Sequence, residues 1–322
     1  MEKAENILKN IIDNYKNKKV LVIGDSILDE SIFAKAIGIS LESPTLKAAE
    51  TKVEKELGGA YNVAKNIAAL GSECYFITLL ARDEYEKDFM TDNQNLNVVP
   101  IYGKKRNTIK KRYWIERGGQ IYKHLQINTY DSVGEHASDI IRSIHTAFNS
   151  YISKVDVLLF CDYRTGMLSE TMVQEMIKEA KRHNVFSFAN SQISDKRSNY
   201  HFYRGVDVIC MNLQEAKRTC IEYNINFEQL QNFFHSYVCV TNSKESTCLY
   251  MDNLVLEAPV IKIEENDSCG AGDCFLAALS ISDLKDRPVE SLRLANIWAG
   301  LSVRYHGTKT PKQEELETYI GY

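Results

Sequence analysis

The sequence predicts a doubly wound α/β sandwich, a mostly parallel sheet covered by helices on both faces, with a small antiparallel β lid. Short apolar runs alternate with longer amphipathic stretches along most of the chain, the pattern of parallel strands joined by crossover helices. Two stretches, at about 31–53 and 104–127, break the rhythm with β-branched and aromatic residues and no intervening helix. No repeat, low-complexity tract or proline-rich linker divides the 322 residues. The expectation is therefore one domain over residues 1–322, with lid inserts at those two positions.

Ile7, Leu8, Ile11, Ile12 and Tyr15 recur at helical spacing and predict an N-terminal amphipathic helix. The run KVLVIG over 19–24 reads as a buried strand ended by glycine. A helix over 60–70 precedes a strand over 75–79. Helices over 135–151 and 171–183 precede strands at 155–160 and 185–188, and further strands fall at 206–210 and 237–241. Within 109–127, Tyr113, Trp114 and Ile115 are separated from Ile121 and Tyr122 by Gly118-Gly119, which reads as a β-hairpin.

Composition narrows the class of function. The 44% hydrophobic content can fill a sizeable core, and 25% charged residues is ordinary for a soluble chain. A net charge of -4 and a pI near 6.0 give no general attraction to nucleic acid or acidic membranes. Neither is expected as a partner. The eight cysteines contain no CxxC pair and sit mostly in apolar runs, so they read as reduced core thiols of a cytoplasmic protein. The first residues lack the apolar core of a signal peptide, and no run approaches the roughly 20 apolar residues of a membrane span.

The main chemical signal is Asp267-Ser-Cys-Gly-Ala-Gly-Asp273, leading directly into an apolar helix. Glycines let backbone N–H groups approach an anion, and a helix N-terminus adds positive partial charge. A carboxylate at Asp273 could accept the proton of an attacking hydroxyl. An ordinary capping turn accounts for the same residues, and physics alone leaves both readings open. The pattern is neither GxxxxGK[ST] nor GxGxxG, since Phe275 occupies the last glycine position. A single Gly24 ending the first strand also disfavours a dinucleotide-binding oxidoreductase.

DSCGAGD resembles the D-T-x-G-A-G-D signature of the ribokinase/PfkB carbohydrate kinases, with Ser268 in place of threonine. Leu57-Gly-Gly-Ala-Tyr-Asn-Val-Ala64, Gly24-Asp-Ser-Ile-Leu-Asp29 and Asn212-Leu-Gln-Glu215 resemble that family's other motifs, in its order and rough spacing over about residues 18–320. The pattern is most similar to the heptose-phosphate kinase domain of bifunctional ADP-heptose synthases, through GDSILD, LESPTLK, Lys110-Lys-Arg112, Cys161-Asp-Tyr-Arg-Thr-Gly166 and Asn190-Ser-Gln192. Those enzymes continue into a nucleotidyltransferase half, and none is expected before the sequence ends at Tyr322.

The resemblance implies a ribokinase-like fold and ATP-dependent phosphorylation of a sugar or sugar phosphate. Asp273 would be the catalytic base, and the backbone of Gly270, Ala271 and Gly272 would stabilise the developing charge. It assigns the sugar to Asp25, Asp29, Gly58, Gly59, Asn62 and Asp162, and a phosphate already on the substrate to Lys110 and Arg112. The nucleotide side falls to Asn190, Gln192, Asn212, Glu215, Thr241, Ser243, Ser246 and Asn296, with Mg²⁺ held through water by Asn212 and Glu215. ATP and Mg²⁺ are the implied cofactors, and a monovalent cation stays open. Ser243 and Ser246 stand at glycine positions of the family's nucleotide loop. Thr165 stands where D-Y-x-K-G has lysine, and His124-Leu-Gln126 replaces R-x-D. These departures leave open a non-catalytic sugar-phosphate or nucleotide binder, and a nucleoside kinase, which shares the fold, would have an apolar base pocket in place of Lys110 and Arg112. An exposed lid edge bearing Tyr113 and Trp114 predicts a homodimer through the lid.

Overall fold

The computed structural model describes residues 2–15, 17–91, 93–129, 131, 138–192, 197–243 and 245–320. Leu8, Ile11, Ile12 and Tyr15 bury one face of the first helix, α1 (Glu2–Tyr15), and β1 (Lys19–Gly24) follows. Val20 and Val22 enter the core on one side of β1, while Leu21 and Ile23 enter a second core on the other. Side chains alternate along a strand, so an unbroken apolar run is what a sheet covered on both faces requires.

At Asp25 the chain leaves that sheet. It forms β2 (Ser26–Ile39) and β3 (Leu46–Gly59), then α2 (Ala60–Ala69), and returns as β4 (Glu73–Ala81) and β5 (Leu96–Lys104). A second excursion gives β6 (Ile109–Arg117) and β7 (Gln120–Thr129). Their turn is Gly118-Gly119, with φ of 61° and 79°. Two successive left-handed residues match the twist of a two-residue hairpin, and glycine adopts them without a steric penalty.

The second half alternates α3 (Ser138–Tyr151), β8 (Val157–Asp162), α4 (Glu170–Arg182), β9 (Phe186–Ser191), β10 (Val208–Asn212), α5 (Leu213–Tyr223), α6 (Leu230–Phe234) and β11 (Tyr237–Thr241). A hairpin of β12 (Thr247–Met251) and β13 (Leu254–Ala258) precedes α7 (Ala271–Ser280), α8 (Pro288–Ser302) and α9 (Gln313–Tyr319). The expected start of α3 at 135 lies outside the described residues.

The large sheet has the order β13-β12-β11-β10-β9-β8-β1-β4-β5, parallel except for β12 and β13 at one edge. Helices α1, α2, α7, α8 and α9 pack on one face and α3 to α6 on the other. This is the expected three-layer architecture. The small sheet has the order β3-β2-β6-β7, two antiparallel hairpins joined by a parallel β2–β6 seam. Phe33 and Trp114 stack across that seam with centroids 6.3 Å apart. The small sheet is buried from its foot, at Ile27, Leu28 and Ile109, as far along β2 as Ile32, and every residue of β7 except Thr129 is exposed.

All eight cysteines are free thiols. Among the described residues, no helix is long and apolar enough to cross a membrane. The C-terminal ends of β1, β8, β9, β10 and β11 meet the foot of the small sheet and the N-terminus of α7. A cleft opens there, where ligands of open α/β sheets bind.

Candidate active site

The glycine turn creates the focus of the cleft. Gly270 caps α7 with φ 78°, and a Cβ added to it would come within 2.7 Å of Asn62 Nδ2. Gly270 is therefore fixed both by backbone conformation and by the close approach of Asn62. A Cβ on Gly272 would meet nothing within 4 Å, so its face of the turn is open to the cleft. The N–H groups of a first helical turn lack intrahelical acceptors, and here they can meet an anion. Ala271 is an exception, because its N–H donates to Ser268 O at 3.2 Å. It does not line the cleft, so the expected three-residue donor set is narrower.

Asp273 lies in that first turn and lines the cleft. Burial pushes its carboxyl up to about 6, against hydrogen bonds from Tyr163 and Asn62 that favour the charged form. Asp29 adds to the rise and Lys110 opposes it. Asn62 Nδ2 donates to Asp273 Oδ2 at 2.9 Å, and the Tyr163 hydroxyl donates to Oδ1. The result is a carboxylate largely ionised at neutral pH yet basic enough to take a proton.

The small sheet supplies Asp29 from β2 and Lys110 and Arg112 from β6, the last two on one face of their strand. Arg112 Nη1 donates to Asp29 Oδ1 at 2.5 Å. Gly58 makes room for this carboxylate, since a Cβ there would lie 2.4 Å from Asp29 Oδ2. Gly59 lines the cleft with φ 66° and caps α2. From the large sheet come Asn190, Gln192, Asn212, Glu215 and Thr241. Asn212 and Glu215 form a complete capping box on α5, and Glu215 Oε2 also accepts from the Tyr200 hydroxyl at 3.0 Å. The pair is thus a helix cap and a fixed part of the cleft wall at once.

Several expected ligand contacts take other roles. Asp25 is 1% exposed and accepts from the backbone N–H groups of Tyr163 and Thr165 at 3.0 and 3.2 Å and from the Thr165 hydroxyl. Asp162, 2% exposed, accepts from Arg164 N–H, Tyr203, Ser191 and Asn199. Burial and the Asp25 charge raise its carboxyl above the usual range. Neither reaches the cleft, and both hold the loop after β8. Asn62 is fully buried and meets Asp273 instead of the cleft.

Asn296 is committed on α8, donating to Ala258 O and Pro259 O and accepting from the Thr247 hydroxyl. Gly58, Ser243 and Ser246 also lie outside the cleft lining. Ser243 nevertheless has φ 46°, so a serine adopts the left-handed backbone that glycine takes most easily. Among the cleft-lining residues not foreseen are Tyr163, Cys269 and Thr308. Tyr163 belongs to the Cys161–Gly166 motif, but nothing in sequence spacing links it to a carboxylate 110 positions later.

Comparison with known proteins agrees with this geometry. The pattern of the pfkB family carbohydrate kinases matches residues 17–315. The chain is 30% identical over 328 residues to the bifunctional protein HldE of Aliivibrio fischeri, covering 97% of this chain and 66% of that one. It thus spans just under two thirds of that relative's length. The ribokinase of Thermotoga maritima superposes with a TM-score of 0.71 at 20% identity, over 95% of this chain and all of that one. The Arabidopsis thaliana ribokinase complexed with ribose and ATP gives 0.65 at 17%, over 95% and 99%. The chain belongs to the pfkB family of carbohydrate kinases, phosphotransferases whose acceptor is a hydroxyl group.

Proposed function

We propose that the protein transfers the γ-phosphoryl group of ATP to a hydroxyl of a phosphorylated sugar, a heptose phosphate being the favoured acceptor. One observation carries the reading: Asp273, raised to about 6 at the mouth of a glycine-capped helix, shares its cleft with Lys110 and Arg112. Two cations on one strand face suit a dianionic phosphate, which Arg binds in bidentate fashion. That wall is charged where a nucleoside base would call for an apolar one. The resemblance to HldE proteins supports a heptose phosphate, and the ribokinase bound to ribose and ATP supports the nucleotide.

In this scheme Asp29 accepts a hydrogen bond from a sugar hydroxyl and orients the ring. The reacting hydroxyl gives its proton to Asp273 as its oxygen bonds to the γ-phosphorus, and the bond to the bridging oxygen of ATP breaks. The N–H groups of Gly272 and Asp273 face the negative charge that develops. Asn212 and Glu215 would hold Mg²⁺ through water, and the ion would supply neutralising charge to the phosphates. Asn190, Gln192 and Thr241 line the phosphate side. The chain acts as one kinase domain, and its small sheet closes over the acceptor as a lid that excludes water. Two copies pair through that sheet, and eight free thiols suit a cytoplasmic setting.

The test is ADP release from Mg·ATP across free and phosphorylated heptoses, hexoses and pentoses, and nucleosides. Turnover should require a phosphorylated sugar and be fastest with a heptose phosphate. Preference for an unphosphorylated sugar or a nucleoside would refute the assignment of Lys110 and Arg112.

A further inference from the structure

Three successive N–H groups on the loop after β8, those of Tyr163, Arg164 and Thr165, are accepted by two buried carboxylates, Asp25 and Asp162. Arg164 is held at φ 65°, a backbone region that L residues rarely adopt. Lys104, whose charge burial disfavours and Asp25 supports, has Nζ 3.2 Å from Thr165 Oγ1. Thr165 stands where the resembling motif has lysine, so the cation of this cluster comes from β5. Such a construction is far more than a surface loop needs. What it delivers to the cleft is the phenol of Tyr163, donating to Asp273 Oδ1.

We infer that Tyr163 is a positioning residue for Asp273: its phenol fixes the carboxylate's orientation, and Asp25 and Asp162 hold the loop that presents it. The inference rests on reading Asp273 as the base. With Asn62 on Oδ2 and Tyr163 on Oδ1, the carboxylate is held at both oxygens, and each keeps a further lone pair for an incoming hydroxyl. The phenol remains a donor throughout, because burial and the Asp273 charge raise its own ionisation well above the usual range. The other charged and titratable groups around Asp273 are Asp29 and Lys110 on the small sheet, Lys65 on α2, Cys161 on β8, and Cys269 and Cys274 beside it. Only Tyr163 among the titratable ones donates a hydrogen bond to it in the described residues. Loss of that bond raises the pH at which the base ionises.

The experiment labels position 163 with 3-fluorotyrosine in the full chain and follows its ¹⁹F resonance against pH, in the wild type and in Asp273→Asn. The expected result is one titration with a midpoint near 6 in the wild type and none in Asp273→Asn. A resonance equally flat in both overturns the inference. In parallel, Tyr163→Phe should move the acid limb of kcat/KM upward by about one pH unit, whereas a merely structural role would lower kcat/KM at every pH. An unmoved limb overturns the inference as well. If the wild type phosphorylates no acceptor, the kinase reading fails, and the ¹⁹F titration still decides the contact. It also stands if Tyr163→Phe does not fold.

Discussion

The two sheets use similar residue types under opposite conditions. In the large sheet β1 and β8 are buried almost end to end, whereas in the small sheet β7 is exposed almost end to end. The polar groups at the crest of the large sheet are buried and tied by several hydrogen bonds each, as at Asp25, Asp162 and Glu215. Those of the small sheet are held by ion pairs, Asp29–Arg112, Glu30–Lys111 and Lys55–Asp88, the last with both side chains about a third or more exposed. Exposed pairs of that kind contribute about 0–1 kcal/mol. On the proposed function, the contrast separates a densely hydrogen-bonded side, here called rigid, that would aim the base and phosphate-facing groups from a more exposed side, here called adjustable, that would meet the acceptor. Asp25 and Asp29, four residues apart, fall on opposite sides of this divide.

The largest expected effect lies on the rigid side. Asp273→Asn should lower turnover about 10²–10⁴-fold and at the same time stabilise the protein at neutral pH. The folded carboxyl ionises near 6 in place of 3.8, so the folded state binds the proton more tightly. Its contribution to stability is present below about pH 4 and is lost as pH rises through about 6. Removing the charge should gain about 1–2 kcal/mol at pH 7.5, part of the gain being lost because Asn62 would face an amide. Urea melts at pH 4 and 7.5 check it, and an equal effect at both would break the burial argument. The Asp25/Asp29 pair comes next. Asp25→Ala strands two backbone donors and Lys104 and should cost about 3 kcal/mol. Asp29→Ala removes one ion pair with Arg112 that is only 12–18% exposed and should cost less, about 1–2 kcal/mol, while raising KM for the sugar. Similar losses from both would erase the distinction between the two sides.

The same divide explains what could be read from sequence. Runs such as KVLVIG are legible because burial on both faces demands continuous apolarity, and the Gly118-Gly119 hairpin because its turn geometry demands glycine. The β12–β13 hairpin is not legible in the sequence because Asp252 and Asn253 carry its left-handed turn at φ 51° and 63° without any glycine. At the site, motif and cleft coincide for Asp273, Gly270, Gly272, Asp29, Gly59, Lys110, Arg112, Asn190, Asn212, Glu215 and Thr241. Asp25, Asp162, Asn62 and Asn296 are the residues a motif cannot resolve. Their type suits a ligand and a buried network equally, and only the tertiary partners decide which they serve.

The adjustable side predicts its own failure. Ile121, Tyr122, Leu125 and Ile127 are exposed on the edge strand β7, and Ile37 and Ile39 at the end of β2, and apolar residues on an open edge invite pairing with another chain. If two copies pair through this sheet, Ile121→Glu with Leu125→Glu should convert a dimer to a monomer in light scattering. The described core should be unaffected, because neither residue is buried. A wild type that is monomeric at micromolar concentration would break the dimer proposal.

The smallest effect is expected at Ser243, in the turn that follows β11. An L residue at φ 46° carries a backbone penalty of about 1–2 kcal/mol relative to the right-handed region. Glycine removes that penalty but gains freedom in the unfolded chain, which returns part of it. Ser243→Gly should therefore stabilise the protein by about 0.5–1 kcal/mol, with little change in KM for ATP, because serine already adopts the backbone shape that glycine would. A loss of stability would mean that the hydroxyl makes contacts worth more than the strain. A several-fold fall in KM would mean instead that the serine perturbs the nucleotide loop, and that the rigid side is less completely formed than its hydrogen bonds imply.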